Sequence, residues 1–214
     1  MTKNFSKAPP KRHERGVMLL FTLIVLVVLL MGGVVVVRSM NTSLVTAGNM
    51  AFKRDLRNQG EQAIANVLVA FSSSLLSSAS STANTLASAN YSAVRLVTND
   101  RGIPTVLLSN SASPSGLDMQ GANFSPTAAA IDGTAGVSMR YVIDRLCNNS
   151  GTVSTLGRSG CVLMPSSTEV RGGTSSSTPR PDDRPPSLIY RLTVRVDGPR
   201  DTQTFIQTTF TKPD

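Results

Sequence analysis

From Val17 to Val37 the chain reads VMLLFTLIVLVVLLMGGVVVV, 21 residues without a charge. A helix rising about 1.5 Å per residue would make this stretch about 31 Å long, enough to cross a bilayer core of about 30 Å. Buried helices of soluble proteins rarely run so far with apolar residues on every face, so the pattern predicts a membrane span ended by Arg38. A cleaved secretory signal has an apolar stretch of about 7–15 residues with small residues directly after it. Here the first such site, Val45-Thr46-Ala47, lies well beyond the run, and the segment is expected to stay with the protein. Residues 38–71 contain no Pro. Leu44, Met50, Phe52 and Leu56 leave a loose apolar trace, and Ile64, Val67, Leu68, Phe71 and Leu75 then recur at spacings of three and four, one face of a helix. Gly48 and Gly60 each weaken that helix by about 1 kcal/mol relative to Ala. The prediction is one helix over 17–71, with a membrane half (17–37) and an amphipathic half (38–71) laid on a soluble domain.

Further along, the period changes to two. Val137, Met139, Tyr141 and Ile143 alternate with Ser138, Arg140 and Asp144. Tyr190, Leu192, Val194 and Val196 alternate with Arg191, Thr193 and Arg195. Asp197-Gly198-Pro199 reads as a turn, after which QTFIQTTFT resumes as a strand. A weaker strand pair is predicted over 93–98 and 103–108. The fold class is therefore α+β: a long N-terminal helix packed on a small antiparallel sheet, whose Leu/Val/Tyr face is buried and whose Arg/Thr face is wet. Residues 72–90, with eight Ser and no charge, are expected to form a flexible loop and a poor core. Residues 165–187, with five Pro and two Gly, are expected to form an exposed, partner-facing loop.

Charge refines this layout. The chain carries 21 Lys+Arg against 13 Asp+Glu, net +8. Half of the excess sits in residues 1–16, where Lys3, Lys7, Lys11, Arg12 and Arg15 face a lone Glu14. Basic residues just before a span place the N-terminus in the cytoplasm and residues 38–214 outside. Nucleic-acid binding would need basic residues clustered with aromatics; Arg95, Arg140, Arg145, Arg158 and Arg171 are scattered and aromatics are 5%. Outside the cytoplasm the compartment is oxidising, which favours a Cys147–Cys161 disulfide. Closing that loop of about 15 residues stabilises by about 3 kcal/mol in the chain-entropy model. The two cysteines are too far apart in sequence for a CxxC redox motif.

Chemistry finds little foothold. His13, the lone histidine, lies in the leader; with no HExxH and no paired CxxC, no metal or cofactor site is expected. P-loop, GxGxxG and GxSxG patterns do not occur, and the many Ser have no companion base to activate them. The adjacent carboxylates Asp182 and Asp183 read as solvated loop residues. No catalytic residue is assigned and a non-enzymatic protein is expected.

A short basic leader, then Arg15-Gly16, then an uninterrupted apolar helix running into an amphipathic one, resembles a type IV pilin precursor. Within that class, Ala47-Gly48-Asn49-Met50-Ala51-Phe52 and Gly60-Glu61-Gln62-Ala63 are similar to the signature of PilX-type minor pilins. The end of the chain, YRLTVRVDGPRDTQTFIQTTFTKP from Tyr190 to Pro213, is similar to that family's closing hairpin. The resemblance covers about residues 11–71 and 188–213. It implies that residues 1–16 are a cytoplasmic leader, that prepilin peptidase cuts after Gly16, and that the new amine of Val17 is methylated. It also implies an inner-membrane protein, single pass with residues 72–214 ending in the periplasm, that later joins the pilus fibre. The implied partners are other minor and major pilins, the inner-membrane pilus assembly platform and a tip adhesin, with assembly initiated near the tip.

Phe21 stands where pilins usually carry Glu. A carboxylate in a helix bundle is expensive unless it meets a charge such as a neighbour's amine, whereas Phe21 can only pack. That fits a subunit at or near a tip and leaves a type II secretion pseudopilin as an alternative. A plain single-pass anchor for a periplasmic binding module is the reading outside this class; it predicts no processing at Gly16.

Overall fold

The computed structural model describes residues 15–73, 76–78, 80–111, 113–157, 159–164 and 187–212. The leader before Arg15, with His13, lies outside the described residues, as do Leu75, Arg158, Arg171, Pro213 and the Pro-rich stretch 165–186 with Asp182 and Asp183. The chain divides into two units, Met1–Phe52 and Lys53–Asp214.

Helix α1 runs without interruption from Arg15 to Ser73, 59 residues. In the first unit every described side chain from Gly16 to Ala51 is exposed. The apolar run, exposed throughout, is long and apolar enough to span a membrane. Its single hydroxyl, Thr22, donates to the Leu19 carbonyl at 2.9 Å, so the hydroxyl hydrogen is satisfied within the helix.

In the second unit, the helix buries Leu56, Gly60, Ala63, Val67 and Phe71, with Ile64 and Leu68 half-buried on one flank. This stripe lies on a sheet ordered β1-β5-β6-β7, where β1 is Tyr91–Ser92, β5 Ser138–Arg145, β6 Leu188–Gly198 and β7 Thr202–Lys212. β5, β6 and β7 are antiparallel, as the alternating pattern predicts; β1 adds a parallel pair on β5, and β4 (Ile131–Asp132) an antiparallel one. Tyr190, Leu192, Val194 and Val196 face the helix and are fully buried. Phe71 anchors the contact, 5.2 Å from the Tyr190 ring centroid and 5.0 Å from that of Phe210, both edge-on.

At Gly60 helix and sheet approach closely. A Cβ there would sit 2.5 Å from Ile206 Cδ1 and 2.8 Å from Val196 Cγ2. The glycine therefore serves packing, and reading it only as a weak point in the helix misses its role.

Three expectations need correction. The second face of the sheet is not wet: Val142 joins Leu96, Val106, Leu107 and Phe124 in a second core, with Phe205 packed against it. Thr193 and Arg195 are consequently buried. The pair 93–98 and 103–108 does not form strands. Asn99 Oδ1 accepts the N–H groups of Arg101 and Ile103, Gly102 takes φ 77°, and Thr105–Leu107 is a 3-10 turn after Pro104, which has no N–H to give a ladder. This segment, with the short hairpin of β2 (Gly116–Leu117) and β3 (Asn123–Phe124), covers the second face. The Ser-rich stretch also contributes to the core: Leu76, Thr82 and Ala83 are buried, and Ser81–Ala83 and Ala87–Ala89 are 3-10 turns. Small side chains let the backbone lie close enough for Tyr91 Oη to donate to the Thr82 carbonyl at 2.7 Å.

Candidate functional site

Gly16 and Val17 lie in the first turn of α1, and a Cβ added at Gly16 would meet nothing within 4 Å. Val17 is 74% and Phe21 63% exposed, and the first turn holds no acidic residue. Gly16 and Val17 thus lie exposed in the first turn of the helix, and nothing described packs on the Phe21 ring.

Cys147 and Cys161 are joined in a disulfide, with Cα atoms 3.9 Å apart. Beside it sits a residue that sequence reasoning treated as a scattered surface cation. Arg145 is 1% exposed; its Nε donates to the Ala93 carbonyl at 3.0 Å, and its Nη atoms to Gly151 at 2.9 Å and Asn149 at 3.3 Å. One guanidinium thus ties the disulfide loop to the segment that follows β1. Burial of a charge is costly unless it is hydrogen-bonded, and each of the three guanidinium nitrogens donates to a carbonyl.

A second charged group lies on the other face of β5. Asp144, fully buried, accepts from Arg191 Nε at 2.9 Å and Nη2 at 2.5 Å, and from the Leu96 N–H at 3.0 Å. Burial pushes the Asp144 carboxyl above the usual carboxylate range, while the Arg191 hydrogen bonds and charge, the Leu96 N–H and the Arg95 charge pull it down. Arg195 is held by Asp197, the Leu107 and Ser109 carbonyls and Asn110. These pairs join the loop layer to the sheet; none opens into a cleft.

A polar groove of about 470 Å³ runs between α1 and the loop after β4, lined by Asp55, Asn58, Gln59, Gln62, Asn66 and Asp132. Gln59 bridges it: its Oε1 accepts the Thr134 N–H at 3.0 Å and its Nε2 donates to Asp55 at 2.9 Å. Among the described residues no three His, Cys, Asp or Glu side chains converge as metal ligands would. Alternation on a strand cannot tell Arg145, Asp144 or Arg195 from solvent-facing residues, because distant segments bury them: the loop layer for Asp144 and Arg195, Ala93 and the disulfide loop for Arg145. No known protein family, curated protein or solved structure matches this chain.

Proposed function

We propose that this chain is a minor pilin that helps to initiate or assemble a type IV pilus near its tip. The observation that carries the reading is the single helix from Arg15 to Ser73, bare and apolar on every side through Val37 and docked on a sheet through its last turns. A helix whose apolar surface is exposed can bury it in lipid or against like helices, and a fibre of packed pilin helices offers both in succession. Prepilin peptidase would cut between Gly16 and Val17 on the cytoplasmic side and methylate the Val17 amine. Phe21 would then pack without neutralising a neighbour's amine, which suits a subunit with none ahead of it. The function is assembly without catalysis: the domain would meet other pilins and a tip adhesin through its loops and sheet edge, with the assembly platform below.

The test is N-terminal sequencing and intact mass of the membrane-extracted protein, with and without prepilin peptidase. A start at methylated Val17 only when the peptidase is present supports the reading. A start at Met1 or Thr2 in both strains refutes it and leaves a single-pass anchor. Phe21 equally suits a type II secretion pseudopilin. The protein in sheared pili, rather than in secretion complexes alone, decides for the pilus.

A further inference from the structure

The two halves of the disulfide are not equally placed. Cys147 lies just past the end of β5 and is 0% exposed. Its backbone is held from two sides: the N–H donates to the Arg145 carbonyl at 2.7 Å, and the carbonyl accepts the Arg95 N–H at 2.9 Å. Cys161 is half-buried and stands between exposed stretches of chain, with Gly157 and Ser159 before it and Val162 and Met164 after it. The Val162 N–H donates to the Leu146 carbonyl at 2.8 Å and the Met164 N–H to Ser187 at 2.9 Å, so this segment lies along the outside of the chain ends that leave β5 and enter β6. The bond therefore runs from an inner cysteine to an outer one.

Thiol–disulfide exchange depends on which sulfur an incoming thiolate can reach. The attack is an in-line displacement: the thiolate approaches one sulfur from the side opposite the other, and that other sulfur leaves. Attack on Cys161 calls for an approach from beyond the outer cysteine, where the neighbouring residues are exposed. Attack on Cys147 calls for an approach from behind the inner one, and a residue at 0% exposure offers a second molecule no such path.

We infer that Cys161 is the sulfur through which this chain exchanges disulfides, and that its partner is an external thiol or disulfide, joined as a mixed disulfide at Cys161 and not at Cys147. In opening, the external thiolate bonds to Cys161 Sγ while the Cys147–Cys161 bond breaks, its electron pair leaving on Cys147 Sγ, which takes up a proton. A second external thiolate then bonds to the sulfur of the first and releases Cys161 as a thiolate. Two external thiols are thereby oxidised to one disulfide, and the chain gains two electrons. Closing runs in reverse: the Cys161 thiolate attacks an external disulfide and expels one thiolate, and Cys147 then attacks Cys161 Sγ and expels the other. Burial thus fixes the order, with Cys161 taking up the partner and Cys147 resolving the mixed disulfide.

The probe is oxidised glutathione, added to full-length Cys147→Ala and Cys161→Ala chains in detergent micelles and followed by intact mass. The lone Cys161 thiol should take up glutathione at least about tenfold faster than the lone Cys147 thiol, because access limits the exchange. In urea the two rates should converge. Near-ultraviolet circular dichroism checks that each variant is folded. Where either is not, the disulfide-bonded parent decides: reduced glutathione is added, the reaction is stopped with acid, and free thiols are alkylated before peptide mapping. Glutathione should then sit on Cys161 and the alkyl group on Cys147. A thiol–disulfide oxidoreductase lacking its resolving cysteine should be captured by the Cys147→Ala chain at Cys161; glutathione uptake without that capture assigns the site to small thiols alone. No uptake at Cys161, equal rates in the folded variants, a difference that persists in urea, or glutathione on Cys147 of the parent would each overturn the assignment.

Discussion

Replacing Gly60 separates helix propensity from packing. In an exposed helix Gly→Ala stabilises by about 1 kcal/mol. At Gly60 the new methyl would lie 2.5 Å from Ile206 Cδ1 and 2.8 Å from Val196 Cγ2. Carbon atoms rest at about 3.5–4.0 Å, so both contacts are too short by most of an ångström. Ile206, half-buried on the edge strand, can turn aside; Val196, fully buried on the inner strand β6, cannot. Overpacking of this kind costs about 1–3 kcal/mol. With about 2 kcal/mol lost to the clash and about 1 gained from propensity, Gly60→Ala should destabilise by about 1 kcal/mol. Gly60→Val, larger and β-branched, should cost about 3 kcal/mol. For a domain of this size these losses correspond to melting temperatures lower by roughly 3 °C and 9 °C. The assay is thermal and urea unfolding of the full-length protein in micelles, followed by near-ultraviolet circular dichroism. Tyr91 and Tyr190, 6.1 and 5.2 Å from the Phe71 ring centroid, report directly on the helix–sheet contact. If Gly60→Ala instead raised stability by the full propensity gain, the close approach of α1 to β6 and β7 would be wrong.

Arg145→Met should cost about 3 kcal/mol in urea unfolding, because three carbonyls lose their donor, and Arg145→Lys should not restore it, since an ammonium lacks the forked geometry. Reduction, or Cys147→Ser with Cys161→Ser, should lower stability by about 3 kcal/mol and expose the Asn148 and Gly151 amides, bonded to the Gly160 and Ala83 carbonyls, to exchange. Asp144→Ala should cost about 3–5 kcal/mol by stranding Arg191, whereas Asp144→Leu with Arg191→Met should recover most of that loss in the same unfolding assay. Because burial raises the Asp144 pKa in the folded chain, the folded state takes up this proton before the unfolded chain does. Its contribution to stability is present below the ordinary value of 3.8 and is lost as pH rises through the folded value. The stability of the parent relative to Asp144→Asn should therefore grow as urea midpoints are measured from neutral pH down towards pH 4; a flat difference would refute it.

Long, strongly periodic segments could be read locally. The apolar half of the helix announces itself because a run long and apolar enough to cross a bilayer is set residue by residue, without help from distant chain. β5, β6 and β7 show equally well, since a two-residue period needs only one buried face. The weak pair at 93–98 and 103–108 misled for a related reason: short apolar runs fit a strand and a packed loop alike, and Asn99, Gly102 and Pro104 chose the loop. The Ser-rich stretch likewise looked like a loop by composition, although Leu76, Thr82 and Ala83 lie in the core.

Of the candidate site, Gly16, Val17 and Phe21 are picked out by the resemblance to pilins alone, while the cysteine pairing followed from the expected compartment and is present as a disulfide. What residues 1–71 determine alone is the continuous helix and its long apolar surface, because intrahelical hydrogen bonds and hydrophobicity act over a few residues at a time. What only the tertiary structure decides is which polar residues are buried and which backbone edge stays open. Arg145, Asp144 and Arg195 become interior groups once the 93–124 layer closes over or beside the sheet, Gly60 becomes obligatory once α1 lies on Val196 and Ile206, and β7 becomes an edge because the chain places nothing described beyond it. Each of these outcomes depends on segments tens of residues apart meeting at atomic contact, and no local period along the chain carries that information.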